Sequence, residues 1–253
     1  MLLAPEAGPV RGRPAGRHTG LVRLVTFNIR HGASGRGTDV DLARLAVACA
    51  ALRPDVLALQ EVDLGNPRSW RADLTAVVAK ATGMASVFGA TLDRDGGQYG
   101  NALLVRGAID DVAMLRLPRG RRAWERREPR GAIVATAVVG ADRLAVAATH
   151  LSTRRGESGR QLDAVLDALA RRPGPRALLG DLNRRPGELA SITGRPGLVL
   201  ADGPATFPAW RPMLRIDHVV VDGLDITDME VVHTAISDHR ALVVTVSVPA
   251  APT

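Results

Sequence analysis

Asn28, Glu61, His150, Asp181, Asn183, Asp217, Asp238 and His239 have the types and the placement for acid–base or metal chemistry. Each closes or borders a short apolar run. The clearest case is Leu178-Leu179-Gly180-Asp181-Leu182-Asn183, where an apolar stretch from Ala177 ends in a glycine, a carboxylate and an amide. Thr26-Phe27-Asn28, Leu59-Gln60-Glu61, Ala148-Thr149-His150 and Ile216-Asp217-His218 repeat the pattern, and Ser237-Asp238-His239 precedes the last apolar run. Singly these signals are weak. A carboxylate at a strand end is more often a turn or helix cap, and a lone histidine is more often a hydrogen-bonded structural residue. The weight lies in the set, because strand ends converging on one sheet edge are where α/β proteins place their chemistry.

The set is rich in oxygen donors and holds no cysteine, which disfavours structural zinc and favours a hard ion, Mg2+ or Mn2+. Mg2+ keeps several waters and needs only one or two protein carboxylates. The other acids are then free to orient a nucleophile or a histidine. Such a combination suits hydrolysis of a phosphate ester. A metal stabilises charge on the phosphoryl oxygens and the leaving group. Asp181 can orient and deprotonate the attacking water, and His239, with Asp217 as partner, can be kept charged beside the phosphate.

Positioning these groups takes strands. Leu21 to Asn28, Val56 to Gln60, 84–91, 101–106, Ala177 to Leu179, Val219 to Val221 and Ala241 to Val248 read as strands. Ala132 to Val139 and Leu144 to Ala148 read as a hairpin across Gly140-Ala141-Asp142. Asp39 or Asp41 caps a helix with the apolar face Leu42, Leu45, Ala46, Cys49 and Leu52, closed by Pro54. A second helix is expected over Arg71 to Thr82, ended by Gly83, and a third around Leu162, Val165, Leu166 and Leu169, stopped by Pro173. Residues 1–20 read as a flexible tail, 21–249 as a single domain, and 116–130 as a polar interval dominated by arginine. Hairpins interrupt the strand–helix alternation, so the expected class is α/β (α+β) with mixed sheets and helices outside.

The length of 253 residues and the apolar content of 46% suffice for a substantial core. Nothing approaches the roughly 18 consecutive apolar residues of a membrane span, and Met1 to Glu6 does not open a signal peptide. Cys49, the single cysteine, lies on an apolar helix face and reads as a core residue. A cytoplasmic monomer without stable membrane insertion is the expectation. The net charge of +7 suits an anionic partner: nucleic acid, a phosphorylated metabolite or a lipid headgroup. Lys80 is the only lysine among 33 lysines and arginines, which looks like an arginine bias as much as a binding surface. An aromatic content of 3% leaves few rings for base stacking.

Thr26-Phe27-Asn28-Ile29-Arg30, Leu59-Gln60-Glu61-Val62-Asp63, Tyr99-Gly100-Asn101-Ala102, Arg130-Gly131-Ala132, Thr149-His150-Leu151, Gly180-Asp181-Leu182-Asn183, Arg215-Ile216-Asp217-His218 and Ser237-Asp238-His239 stand in a telling order. Over about residues 21 to 248 the sequence resembles the endonuclease/exonuclease/phosphatase superfamily. The resemblance implies a four-layer sandwich of two mixed β-sheets packed face to face with helices outside. It implies a metal held by Glu61 and Asn28 with Asp238 nearby, and water activated by Asp181 with Asn183 as helper. His239, oriented by Asp217, would contact the phosphate, with His150 on the other side and Asn101 and Arg130 along the substrate cleft. Asp63 and His218 read as neighbours of the motifs, not participants.

Two departures bear on the substrate. Arg30 stands where abasic-site endonucleases carry an acid, and their DNA-gripping insertions have no counterpart here. Both argue against a dedicated repair nuclease. Asn28 to Gly32 and Tyr99 to Asn101 look more like small bacterial phosphodiesterases and the sphingomyelinase branch. A Mg2+-dependent phosphodiesterase is the leading expectation, a non-specific nuclease the next, and an inactive phosphate-ligand binding protein on this fold the reading from another class.

Overall fold

The computed structural model describes residues 10–11, 20–120, 128–189, 192 and 194–249. Two sheets form. One runs through β2 (Leu21–Asn28), β3 (Val56–Leu64), β4 (Ala85–Arg94), β5 (Gly97–Val105), β12 (Asp225–Val232) and β13 (Ala241–Ser247), in the order β12-β13-β2-β3-β5-β4. The other holds β1 (Val10–Arg11), β6 (Ala108–Arg116), β7 (Gly131–Val139), β8 (Asp142–His150), β9 (Arg176–Asp181), β10 (Leu198–Leu200) and β11 (Asp217–Asp222), in the order β1-β6-β7-β8-β9-β11-β10. The helices are α1 (Leu42–Ala51), α2 (Leu74–Thr82) and α3 (Arg155–Ala170).

Both faces of each sheet are covered, so the inner strands read as unbroken apolar runs. Leu24, Ala58, Leu103, Ile133, Val146, Leu179 and Val244 meet between the sheets. One residue along, Val25, Phe27 and Leu57 point outward onto Leu45 and Cys49 of α1 and Leu74 and Val78 of α2. Leu178 and Val220 meet Leu162, Val165 and Leu169 of α3 on the opposite outer face. The layers are therefore helices, sheet, sheet, helix, the four-layer sandwich that the family resemblance implies. Truncating one of these leucines to alanine costs about 2–5 kcal/mol.

The topology explains why the motif residues share an edge. β2 and β3 are parallel and joined through α1; β8 and β9 are parallel and joined through α3. The C-terminal ends of all four thus lie on one edge, carrying Asn28, Glu61, His150 and Asp181. β11 and β13 run antiparallel to β9 and β2, with Asp217 opposite Asp181 and Leu242 opposite Thr26. Their beginnings therefore face the same edge, bringing Asp217 and the Ser237-Asp238-His239 turn.

Some boundaries differ from the sequence reading. α2 starts at Leu74 and not Arg71, because Trp70 and Arg71 hold left-handed backbone (φ 58° and 55°) and Asp73 caps the helix by accepting from the Ala76 amide at 2.9 Å. For α1 the cap is Asp41, which accepts from the Arg44 amide. Within the expected tail, Val10–Arg11 pair with Ile109 and Ala108 of β6; the rest of residues 1–19 lies outside the described residues, as do Arg121, Arg122 and the end of the chain after Pro249.

Candidate active site

Asn28 ends β2 with its side chain fully buried, and its Nδ2 bridges the sheets, donating to Glu61 Oε1 at 3.0 Å and Asp181 Oδ2 at 3.1 Å. Glu61 sits where the β3–β5 pairing slips between Leu59 and Val62, with left-handed φ of 58°. Such a bulge re-aims a side chain. Burial raises the Glu61 pKa; the Asn28 hydrogen bond and His239 oppose that rise without cancelling it.

Asp181 is 1% exposed. Its Oδ1 accepts from the Asn183 amide at 2.9 Å, while Oδ2 lies 3.4 Å from His150 Nε2 and 3.8 Å from His239 Nε2. Burial, with Asp217 adding its charge, pushes the Asp181 pKa well above the usual carboxylate range.

The two histidines are held in opposite charge states. His239 Nδ1 donates to Asp217 Oδ2 at 2.9 Å, and the same oxygen accepts Thr206 Oγ1 at 2.5 Å. Burial alone would lower the His239 pKa, but the Asp217 carboxylate overcomes it and raises the value to about 10. Its ring leans on Phe207, with centroids 4.8 Å apart. His150 Nδ1 meets Arg130 Nη1 at 2.9 Å. Arginine only donates, so Nδ1 is the acceptor and the ring proton sits on Nε2, facing Asp181. Burial first, then Arg130 and His239, hold the His150 pKa well below 6.5.

Arg130 also pairs with Glu128 at 2.8 Å, and its backbone neighbour is anchored: Gly131 O accepts from Asn101 Nδ2 and Thr149 Oγ1, both at 3.0 Å. Asn183 donates through Nδ2 to Leu151 O at 2.9 Å and lies 3.1 Å from His150 Nε2. Asp238 is a quarter exposed, 3.8 Å from Arg30 Nε. Glu61, Arg130, Asp181, Asn183, Asp238 and His239 line one cleft of about 580 Å3. Asn28 and Asp217 stand behind them. The neighbours read as bystanders are structural: Asp63 takes Arg68 in a two-pronged pair, and His218 Nε2 holds Arg184 O at 2.7 Å.

Two positioning groups escaped the sequence reading. Thr206 braces Asp217, and Ser237 donates to Asn28 O at 2.6 Å while accepting from the His239 amide at 3.0 Å. Ser237 was visible only as part of its motif. Thr206 stands in no motif.

The donor set suits a divalent cation. Glu61, Asp181, Asp217 and Asp238 crowd carboxylates into a partly dry site, and burial raises the pKa of Glu61 and Asp181 even with the His239 cation beside them. Asp181, Asp217 and His239 also place one ligand atom each within 4.8 Å of one another. His239 Nδ1 and Asp217 Oδ2 satisfy each other, while Glu61 Oε1 accepts from Asn28 Nδ2 at 3.0 Å and Asn28 Oδ1 accepts from the Arg30 amide at 3.1 Å.

A model of the Endonuclease/Exonuclease/phosphatase family matches residues 25–239. The chain belongs to this family. Members of the endonuclease/exonuclease/phosphatase family are typically metal-dependent hydrolases of phosphoester bonds. The family protein of Beutenbergia cavernae DSM 12333 superposes with a TM-score of 0.75 at 25% identity, over 92% of this chain and 73% of its own. Truncated Caenorhabditis elegans TDP2 (TM-score 0.65, 20% identity, 90% of this chain and 97% of its own) shares the fold. So does the human Nocturnin catalytic domain solved with bound sulfate (0.67, 19%, 90% and 94%). No curated protein matches the sequence.

Proposed function

We propose that the chain is a phosphodiesterase that depends on Mg2+ or Mn2+. The observation supporting it most is the meeting, in one cleft, of a charged His239 braced by Asp217, a buried Asp181 facing it, and a guanidinium, Arg130. His239 Nε2 and Arg130 offer hydrogen bonds to the non-bridging phosphate oxygens. Asp181, with its pKa raised toward the working pH, takes the proton of the attacking water. Asn183 fixes the Asp181 carboxylate through its amide and abuts His150, whose neutral ring props Arg130 and meets the phosphate on its other side. Asn101 acts from behind through the Gly131 carbonyl. A cation held by Glu61 and Asp238, beside Asn28, would supply charge stabilisation at the phosphoryl and leaving oxygens. The oxygen–phosphorus bond to water forms as the ester bond breaks, and the leaving oxygen takes a proton from solvent, leaving a monoester and an alcohol.

A diester fits better than a monoester because apolar and basic side chains line the cleft beyond the central groups and offer contacts to a second ester group. Phe207, Leu214 and Ile216 line the cleft, as do Arg155 and Arg185. The test is hydrolysis of bis-p-nitrophenyl phosphate, p-nitrophenyl phosphate, an oligonucleotide and sphingomyelin, each with Mg2+ and with excess EDTA. Metal-dependent cleavage of diesters ahead of the monoester is expected. Turnover in EDTA, or of the monoester alone, would overturn the reading.

A further inference from the structure

Trp210 is 46% exposed although the chain has only 3 tryptophans. It is not a stray surface residue. It occupies the tip of a tight loop whose ends, Phe207 and Leu214, line the cleft and pair through Phe207 N to Leu214 O at 3.0 Å and Leu214 N to Phe207 O at 2.8 Å. Next to the indole, the Ala209 amide grips Asp238 O at 2.6 Å. Across from it, the Arg36 guanidinium lies over the indole, 5.0 Å from its centroid. The loop carrying Arg36 is fixed too, by the Ser34–Ile236 bridge and by Arg30 Nη1 to Gly35 O at 2.9 Å. Two loops that flank Asp238 and His239 thus meet in one ring-and-cation pair, on a loop whose ends, Phe207 and Leu214, line the cleft.

A guanidinium stacked on an indole covers one face and leaves the ring steady, with exposed area for a planar partner. The cleft lining combines apolar side chains (Phe207, Leu214, Ile216) with a guanidinium (Arg130). A ligand matching both has a flat, apolar-faced group attached to a phosphodiester. We propose that Trp210, backed by Arg36, is a stacking platform for a nucleobase next to the scissile phosphate, which makes single-stranded nucleic acid the substrate class. The place of that phosphate rests on the phosphodiesterase reading. A lipid surface fits less well, because the Arg36 guanidinium lies over the indole and Arg211 follows it in the chain, which puts two cations beside the exposed Trp210 and Met213.

The test reads binding and not turnover. Phosphorothioate-linked decamers that resist hydrolysis, one of thymidylate and one abasic with equal charge, are titrated in Mg2+. Wild-type protein should bind the base-bearing decamer tighter by about 5- to 100-fold, the range for one stacked base. Trp210→Ala should abolish that preference while leaving the affinity for the abasic decamer unchanged, at a modest loss of melting temperature from the broken Arg36 contact, and Trp210→Phe should retain most of it. In a W70F/W124F background, where Trp210 is the sole tryptophan, the base-bearing decamer should quench the fluorescence and the abasic one should not. Equal wild-type affinity for the two decamers, or a preference that survives Trp210→Ala, would overturn the platform. So would a Trp210→Ala loss confined to vesicles of equal phosphatidylserine and phosphatidylcholine, which would assign the surface to lipid. Base preference without any diester hydrolysis would sink the phosphodiesterase reading alone; hydrolysis without base preference would sink only the platform.

Discussion

Asp217 holds His239 through a 2.9 Å contact from Oδ2 to Nδ1, with side-chain exposures of 0% and 7%. The pair is what keeps the ring charged in a place where burial alone would discharge it. Asp217→Asn should preserve much of the shape, release the His239 pKa downward from about 10, and lower kcat on the order of 100-fold. An NMR titration of His239 in the EDTA-treated protein checks the first point. A ring whose pKa is unchanged in the variant would show that Asp217 does not control it.

The same pair predicts a pH dependence of stability. The folded-state pKa of His239 lies above the ordinary 6.5, so its contribution is complete below about pH 6.5 and fades as pH rises through about 10. The melting temperature of the metal-free protein should therefore fall across that window more steeply in wild type than in Asp217→Asn. Parallel curves would contradict the linkage.

Glu61 makes a different prediction because its cost is burial. Glu61→Gln keeps the shape and the Asn28 contact but removes the charge that burial disfavours. In EDTA its melting temperature should equal or exceed that of wild type. Added Mg2+ or Mn2+ should stabilise wild type and not the variant, and phosphodiester turnover should be mostly lost. A variant still stabilised by the metal would move the cation site to other ligands.

How much of this was legible depends on where each residue lies. Asn28, His150 and Asp181 end strands buried on both faces, which read as apolar runs. Strand β12 hides because it is a sheet edge, with Asp225, Asp228 and Glu230 facing water. β6 hides because a bulge between Asp110 and Ala113 breaks its period. The aim of Glu61 depends on one left-handed residue, and the Ser237–Asn28 clasp joins residues 209 apart in the chain. The pairing of His239 with Asp217, and so its charge, was readable from the motifs, whereas nothing in the spacing marks His150 as neutral. That difference comes from what stands beside each ring, Asp217 in one case and Arg130 in the other.

Asp181 and His239 should behave as a unit. Asp181 Oδ2 and His239 Nε2 are 3.8 Å apart and face one reacting centre. Asp181→Asn and His239→Ala should each reduce kcat on the order of 100-fold or more, and the double variant should lose much less than the product of the two. Steady-state kinetics on bis-p-nitrophenyl phosphate decide it. Strict multiplicativity would mean independent roles.

Arg130 is the sharpest case for geometry over charge. Its Nη1 reaches both Glu128 Oε1 at 2.8 Å and His150 Nδ1 at 2.9 Å, which leaves the rest of the planar fork to face the cleft. Lysine keeps the charge but has one ammonium, and it cannot serve those partners and grip two phosphate oxygens at once. Arg130→Lys should therefore lower kcat/KM for bis-p-nitrophenyl phosphate by about tenfold or more, the scale of a lost charge-assisted hydrogen bond. Arg119→Ala, from the same arginine-rich interval, should leave this small substrate untouched and only flatten the salt dependence of oligonucleotide binding. An Arg130→Lys protein with wild-type kinetics would show that the cleft needs only a positive charge at this position and not a fork.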